Sequence, residues 1–414
     1  DNANYTKAVL EKGEDTHSLK IAFVRDAVKA SGDFLTPWRT ISFSRTAVGL
    51  GRYTDLLLKL CPPPKAGIPR WIRPGKLIRS QLTTKSGRDC IDFAASHNFQ
   101  YVLFDAGWYG KEFNSVSDPT TYIDGLDIPG VIKYGRSKNI GIILYVNYVG
   151  LRKYLDRILP LYKSWGVSGM KFGFVNGLTR EGISWLMAAV KKASAEGFVI
   201  DIHDNYKPTG MSRIYPALLT QEGVRGNEHG PDAFHNTVLP FTRFLSGAAD
   251  YTFCYPGSDT GFNHYLEKEK LKVSKAQQLA LSVIYFSPLQ SMLWYGRPSY
   301  YTNETDIEFF KEVPTVWDRS IYLKGGIGQY ASIARKQGQD WFIGSISGPD
   351  EWSDKIRLDF LDKGITYKAE IYEDDGKGHI KKKELYCKRS DFLPVHLAAG
   401  SGQAIRLSPS IKKH

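Results

Sequence analysis

Short apolar runs alternate with amphipathic helical stretches through the middle of the chain. The runs that read as strands are eight in number, at 76–79, 101–104, 140–146, 170–175, 198–202, 217–220, 250–254 and 290–295. Apolar residues at helical spacing predict helices over 87–97, 151–165, 180–193, 233–245 and 275–285. Strands that alternate with helices over about 250 residues are typical of a (β/α)₈ barrel. A doubly wound open sheet is the alternative, and it is disfavoured because no G-x-G-x-x-G follows an early strand.

The pattern changes on both sides of this region. Residues 1–65 contain strand-like pieces at 19–24 and 38–43 and end in Cys61-Pro62-Pro63-Pro64, which reads as a stiff linker. Residues 321–414 show short strands at 330–333, 341–346, 356–360, 367–372 and 404–407, separated by turn signals. We therefore predict a small β region over 1–65, a barrel over 66–320 and an antiparallel β domain over 321–414.

Charge and composition argue against nucleic acid and membrane as binding partners. The formal net charge is +12, but Lys and Arg are interleaved with Asp and Glu, and the longest basic run is Lys381–Lys383. A solvated basic surface is therefore expected rather than a nucleic-acid site. No stretch approaches the roughly 18 apolar residues of a membrane span, so no membrane partner is expected. The chain opens Asp-Asn-Ala-Asn-Tyr, as a processed or truncated chain would.

Polar side chains follow several predicted strands at their carboxyl ends, where barrel enzymes carry their chemistry. Asp105 and Trp108 follow the second strand, and a carboxylate beside an indole suits a sugar, although a capping Asp would look the same. On the fourth strand Lys171 and Gly173 face the barrel axis, because side chains alternate along a strand. A charged Lys in that position needs a partner or a ligand, whereas a Lys at the rim would reach solvent.

The loops after the fifth and sixth strands carry the remaining candidates. His203 is either a ligand of substrate or metal or a satisfied core histidine. Glu222 and Glu228 lie six residues apart in a Gly-rich loop beside Arg225. Two converging carboxylates repel each other unless a proton or a hard cation lies between them. A solvated acidic loop is the alternative.

These residues carry a resemblance to glycoside hydrolase family 97. The matching stretches are Asp105–Tyr109, Lys171–Phe174, the run from His203 through Pro208-Thr209-Gly210 to Glu222–Glu228, and Leu239–Phe244 followed by Asp250–Thr252. The resemblance implies an exo-acting α-glycosidase with Ca²⁺ in its active site and a secreted or periplasmic location. It also implies a C-terminal β-sandwich and a large N-terminal β-sandwich, of which residues 1–65 would be the tail.

The resemblance also implies roles for individual residues. Glu228 matches the acid that protonates the departing glycosidic oxygen, and Glu222 matches a carboxylate ligand of calcium, to which Glu228 would also be bound. Four further residues match positions that contact the sugar: Asp105, Trp108, Lys171 and His203.

The family has an inverting α-glucosidase branch and a retaining α-galactosidase branch. The inverting branch uses Glu bases after the third and fifth strands, where this chain has Asn147 and Asp204. The resemblance therefore favours the retaining branch and α-galactoside oligosaccharides as substrates. That branch carries an Asp nucleophile at the position of Gly173, and glycine cannot form a glycosyl-enzyme.

Three explanations of Gly173 stay open at this stage. The nucleophile has been removed deliberately, which would leave room for an external anion; the chain is an inactive or altered natural homologue; or it is an inverting enzyme with a base such as Asp204. In the same order, the corresponding functions are a disabled α-galactosidase, a sugar-binding protein without catalysis and an inverting α-glucosidase.

Overall fold

The computed structural model of the protein describes residues 8–15, 17–23, 32–33, 38, 40–65, 67–175, 180–204, 206–254 and 271–410. Its strands are β1 (Ala8–Lys12), β2 (Leu19–Phe23), β3 (Gly75–Ser80), β4 (Tyr101–Phe104), β5 (Gly141–Asn147), β6 (Gly169–Gly173), β7 (Val199–Ile202), β8 (Leu218–Gln221), β9 (Leu289–Met292), β10 (Arg319–Gly326), β11 (Tyr330–Gln337), β12 (Asp340–Ser347), β13 (Trp352–Arg357), β14 (Tyr367–Asp374), β15 (Ile380–Cys387), β16 (Phe392–Leu397) and β17 (Gly402–Pro409). Its α-helices are α1 (Ala47–Leu50), α2 (Leu56–Lys59), α3 (Thr84–Ser96), α4 (Ile128–Ser137), α5 (Tyr148–Trp165), α6 (Arg180–Glu196), α7 (Met211–Ile214), α8 (Ala233–Val238), α9 (Lys275–Ile284) and α10 (Glu304–Glu312).

Within the described residues, seven strands form one parallel sheet in the order β8-β7-β6-β5-β4-β3-β9. Their side chains are buried on both faces, as expected of strands covered by helices outside and by barrel contents inside. The sheet is a nearly closed (β/α) barrel, which confirms the predicted fold class. All seven correspond to predicted strands, with ends that differ by at most three residues.

The predicted seventh strand, over 250–254, is not a regular strand. The segment lies between the two edges of the sheet: Asp250 N–H donates to the Gln221 carbonyl on β8 at 3.3 Å, and Phe253 N–H donates to the Ser291 carbonyl on β9 at 2.9 Å. Thr252 has a positive φ of 53°, which interrupts the extended conformation. The segment therefore closes the barrel through individual hydrogen bonds.

The helices outside the barrel begin and end where side chains can satisfy the backbone. The Asn147 side chain accepts hydrogen bonds from Val149 N–H and Gly150 N–H and caps α5, and Gly166 ends that helix at a φ of 85°. Prediction was wrong for 233–245, because α8 ends at Val238, just before Pro240, and gives way to two 3₁₀ turns. Helices α4 and α10 were not predicted.

The N-terminal region adds little core of its own. Strands β1 and β2 pair as an antiparallel hairpin, which overlaps the predicted 19–24 strand. Residues 40–43 are not a strand, and residues 24 and 39 lie outside the described part of the chain. Helices α1 and α2 pack against β10 and α7, so this region is attached to the other two.

The C-terminal region is an antiparallel β-sandwich. A six-stranded sheet, β10-β11-β12-β17-β14-β15, faces the pair β13-β16 over a separate apolar core in the described residues. It begins at Arg319, so the boundary expected at 321 falls inside β10. Helix α9 lies between this sandwich and the barrel, and Arg335 on β11 donates to the carbonyls of Val283 and Ile284 at 2.6 and 2.8 Å. No helix in the described residues is long and apolar enough to cross a membrane.

Candidate active site

The carboxyl ends of the barrel strands converge on an open cavity of about 890 Å³. Strands β7 and β8 deliver Asp204 and Glu222 to its wall, and the 3₁₀ turn after β8 delivers Glu228. Lys207 and Arg225 add positive charge to the same wall. The structure therefore brings together the two glutamates that the sequence singled out, in a cavity large enough for a sugar.

Glu222, Glu228 and His203 form the centre of this site. One ligand atom from each lies within 4.8 Å of the others. The pKa of Glu222 is raised to about 7, chiefly because the carboxyl is buried and also because Glu228 repels its charge, although His203 and the Asp204 N–H oppose the shift. The repulsion expected between converging carboxylates is therefore present in the structure.

His203 is held between carboxylates on both sides. Its Nδ1 lies 3.2 Å from Glu222 Oε2, and its Nε2 lies 2.8 Å from Asp250 Oδ2. Burial alone would lower the pKa of His203, but Glu222, Asp201 and Asp250 raise it to about 10. The raised pKa favours the imidazolium form, in which Nε2 donates to Asp250 and Nδ1 faces the Glu222 carboxylate.

Two acidic side chains below His203 share the negative charge unequally. Burial and the charge of Asp250 raise the pKa of Asp201 well above its ordinary value. Burial also acts to raise the pKa of Asp250, but the hydrogen bond from His203 and the charge of Lys171 bring it below its ordinary value. These opposite pKa shifts favour Asp250 over Asp201 as the charged partner of His203.

Lys171 has the partner that its position in the barrel demands. Its Nζ lies 3.4 Å from Asp105 Oδ2 and 4.4 Å from the centre of the Trp294 ring. Burial would lower the pKa of Lys171, but Asp105 and the deeper carboxylates raise it. Arg79 lies 3.4 Å from the same Asp105 oxygen, so Asp105 is anchored by two cations. Asp105 and Lys171 thus balance each other's charge in the interior, and their contact with a sugar stays a prediction.

Two aromatic residues after β9 hold Glu228 and were not predicted as site residues. Trp294 Nε1 donates to Glu228 Oε2 at 3.1 Å, and the Tyr295 hydroxyl donates to the same oxygen at 3.0 Å. Both lie at the carboxyl end of the predicted eighth strand, so their position was a usable signal. These donors fix the carboxyl that the sequence assigns as the acid.

Gly173 lies at the end of β6, and its missing side chain is replaced by Tyr145 of β5. A Cβ atom on Gly173 would stand less than 3.0 Å from the Tyr145 ring and hydroxyl. The Tyr145 hydroxyl donates to Glu112 Oε1 at 2.6 Å. The room expected beside Gly173 for an external anion is therefore filled in this structure.

Trp108, which the sequence predicts to contact the sugar, is buried in the structure. Its side chain is 0% exposed and packs between the barrel and its helices, edge-on to Tyr109. Its Nε1 donates to the Tyr145 carbonyl at 2.6 Å. Trp108 is not among the residues that line the cavity, and its contact with a sugar stays a prediction.

The residues present fit a calcium ion. Glu222 and Glu228 offer converging carboxylate oxygens beside an open cavity, and a hard divalent cation prefers oxygen ligands. Burial and repulsion, which raise the pKa of Glu222, are the conditions that such a cation relieves.

Comparison with known proteins identifies the family. A family model described as Glycoside hydrolase 97 matches residues 71–224, and one described as Glycosyl-hydrolase 97 C-terminal, oligomerisation, matches residues 316–408. A retaining α-galactosidase of Bacteroides thetaiotaomicron is 29% identical over 98% of this chain and 65% of the relative. A probable retaining α-galactosidase of Streptomyces bingchenggensis is 28% identical over 97% of this chain and 63% of the relative. The chain thus spans just under two thirds of the length of these relatives.

Solved structures agree. A glycoside hydrolase family 97 enzyme from Pseudoalteromonas sp. strain K8, in complex with acarbose, superposes with a TM-score of 0.88 at 28% identity, covering 99% of this chain and 72% of that one. A β-arabinopyranosidase superposes with a TM-score of 0.73 at 20% identity over 86% of this chain and 59% of that one, which is a likeness of fold alone. Barrel, C-terminal sandwich and relatives agree: this chain belongs to glycoside hydrolase family 97.

Proposed function

We propose that this glycosidase acts at terminal α-linked galactose residues of oligosaccharides, with Glu228 as general acid. The observation that carries the proposal is the pair of hydrogen bonds from Trp294 and Tyr295 that aims the Glu228 carboxyl at a cavity of sugar size. The choice of galactose is supported by two relatives named as α-galactosidases, 29% and 28% identical to this chain.

The residues of this chain divide the work between binding and proton transfer. Asp105 and Lys171 would form hydrogen bonds with hydroxyl groups of the terminal sugar. Glu228 would give its proton to the glycosidic oxygen as the bond breaks, and would take a proton from water in a second step. Bound to Glu222 and Glu228, Ca²⁺ would supply positive charge that offsets their repulsion. His203, whose Nδ1 lies 3.2 Å from Glu222 Oε2, would hold the Glu222 carboxylate in position to bind the ion.

The retaining and inverting mechanisms differ in the group that attacks the sugar, which is a carboxylate in the first and a water molecule in the second. Retaining chemistry needs a carboxylate about 5–5.5 Å from the acid, and Gly173 provides none. We propose that the chain is a retaining site with this step disabled, so that sugars bind but turn over slowly.

A second candidate, inverting hydrolysis, is favoured by Asp204. This carboxylate lines the same cavity as Glu228 and accepts a hydrogen bond from the Phe174 N–H, while its own N–H donates to Glu222 at 2.5 Å. Asp204 is thereby fixed at the cavity wall, where a general base for an attacking water would act. An inverting α-glucosidase would use this arrangement.

The test is hydrolysis of 4-nitrophenyl α-galactoside and 4-nitrophenyl α-glucoside, with the product anomer followed by NMR, in this chain and in Asp204→Asn. Very slow α-galactoside turnover that Asp204→Asn leaves unchanged supports the disabled retaining site. Inversion that Asp204→Asn abolishes supports the second candidate. Binding of sugars with no turnover of either compound would mean a sugar-binding protein and would overturn catalysis.

A further inference from the structure

Three exposed aromatic side chains stand together at the mouth of the barrel. Phe113 is in the loop after β4, Tyr148 is the first residue of α5, and Phe174 directly follows β6; they are 48%, 39% and 47% exposed. The Phe113 ring centre lies 4.8 Å from that of Phe174, at 75°, and 6.1 Å from that of Tyr148, at 44°. We name these three residues the rim aromatic cluster. Burying such rings would be favourable, so their exposure needs an explanation.

Two members of the cluster are held in a costly backbone conformation. Phe113 and Phe174 have φ angles of 54° and 51°, in the left-handed region that bulky residues avoid. Such conformations are unfavourable for bulky residues and persist where the surrounding structure imposes them, often at ligand sites. The Phe174 N–H bond to the Asp204 carboxylate is one such constraint.

The loop that carries Phe113 is fixed by hydrogen bonds of its own. The Ser117 hydroxyl donates to the Lys111 carbonyl at 2.7 Å, and Lys153 of α5 donates to the Ser115 carbonyl at 2.9 Å. The ring of Phe113 is therefore presented to solvent by a loop tied to the adjacent helix. A surface prepared in this way loses little entropy on binding.

The cluster connects two cavities. Phe174 lines the cavity that contains Glu222 and Glu228. Tyr148 lines a second cavity of about 450 Å³ together with Arg152, Lys153 and Glu181. A chain of sugars whose terminal residue occupied the first cavity would cross Phe174 and Phe113 and reach charged hydrogen-bonding groups beside Tyr148.

We propose that the rim aromatic cluster binds the sugar residues on the leaving-group side of the scissile bond, so that the natural substrate is an oligosaccharide rather than a small glycoside. Aromatic faces and edges suit the C–H surfaces of sugar rings, and the ion pair at 3.3 Å between Arg152 and Glu181 offers partners for hydroxyl groups. This inference rests on the proposed function, because the terminal sugar is taken to lie beside Glu228.

The test measures binding, which does not depend on turnover. Isothermal calorimetry compares raffinose, methyl α-galactoside and maltotriose on the chain and on Phe113→Ala and Tyr148→Ala. We expect each variant to weaken raffinose binding about fivefold to tenfold and to leave methyl α-galactoside unchanged. Phe113→Tyr, which keeps the ring, should restore raffinose affinity. Phe392→Ala, which removes a ring 55% exposed on the C-terminal domain, is the matched control and should change nothing.

The outcomes separate this inference from the proposed function. If maltotriose binds through Phe113 while methyl α-galactoside does not bind, the result supports the rim aromatic cluster as a sugar site and contradicts the proposed specificity for galactose. Equal losses for raffinose and methyl α-galactoside in a folded variant, or no loss for any sugar, overturn the cluster as a sugar site. A change of mass in light scattering on Phe113→Ala, with sugar affinities unchanged, would make it a protein interface instead and also overturn the inference.

Discussion

Tyr145 occupies the space that a side chain at Gly173 would need. The two residues lie on neighbouring strands, β5 and β6, and Tyr145 is held from outside by the carboxyl of Glu112. Tyr145 and Gly173 therefore form one packing unit: the glycine accommodates the ring. This relationship changes what restoring an aspartate would do.

Gly173→Asp is expected to destabilise the protein by about 1–3 kcal/mol, because adding atoms to a filled interior displaces side chains from their preferred rotamers. In the Tyr145→Ala background, which itself loses a buried ring, Gly173→Asp should cost much less, since the smaller residue makes room. Urea unfolding of both variants and of Tyr145→Ala alone measures the coupling. Strictly additive losses would show that the two positions do not share this space.

The same pair of variants tests the nucleophile. If the disabled retaining site is correct, the double variant should hydrolyse 4-nitrophenyl α-galactoside faster than the chain itself and release the α-anomer first, as retention requires. NMR of the product follows the anomer. Release of the β-anomer would instead place the base elsewhere.

Glu228→Gln should separate substrates by their leaving groups. For melibiose, hydrolysis should fall by about 10²–10⁴-fold, because loss of a general acid removes an effect of that size. α-Galactosyl fluoride needs little protonation and should fall far less. The measurement is kcat/KM in the Gly173→Asp, Tyr145→Ala background, with Glu304→Gln, a 58% exposed glutamate on α10, as control. Equal effects on both substrates would remove Glu228 from the role of acid.

Calcium should stabilise the folded chain through Glu222. A ligand at 100 times its Kd adds about 2.7 kcal/mol of stability, so Tm should rise in CaCl₂ and fall again in EDTA. Glu222→Gln should lose this rise, because one of the two converging carboxylates is neutralised, while Glu181→Gln should keep it. Thermal unfolding followed by circular dichroism gives the answer. The same rise in Glu222→Gln would move the ion to another site.

Asp306 makes the contact between barrel and sandwich dependent on pH. Its carboxylate accepts hydrogen bonds from Lys275 at 2.5 Å, Ile380 N–H at 2.9 Å and His379 at 3.0 Å. Burial acts to raise the pKa of Asp306, but these bonds hold it below its ordinary value. A lowered carboxyl pKa stabilises the fold above the unfolded value and loses that effect as pH falls below it.

Asp306→Asn should therefore cost about 1.5–3 kcal/mol at pH 7 and progressively less below pH 4, as charge-assisted hydrogen bonds of this kind contribute. Asp55→Asn, in an exposed ion pair with Lys59, is the control and should cost little. Urea unfolding at several pH values measures both. A constant difference between wild type and Asp306→Asn down to pH 3 would contradict the assignment.

The barrel could be predicted from the sequence because the spacing of apolar residues in a strand or helix is a local property of the chain. Lys171, His203 and Glu222 are polar residues at or near the ends of apolar runs, and the structure brings them to one end of the barrel. The complete burial of Trp108 could not be predicted from the sequence, because the direction of its side chain depends on the backbone conformation of the loop after β4.

Contacts between residues far apart in the chain could not be predicted from the sequence for a different reason. Trp294 and Tyr295 reach Glu228 across 66 and 67 residues, and the meeting depends on barrel closure by the irregular 250–254 segment. The filling of the Gly173 position by Tyr145 likewise depends on strand register. The sequence showed that a carboxylate was absent but not what had taken its space.

Helix α9 gives the barrel and the sandwich a common interior. Every residue from Ala276 to Ile284 is buried, and the carbonyls at its end are bonded to Arg335 of the sandwich. Neither part can be detached without exposing this helix to water, so the two should unfold in one calorimetric transition. During evolution, the C-terminal domain is then not a module that can be exchanged freely: a replacement must present the same apolar face, and an arginine, to a helix that belongs to the barrel.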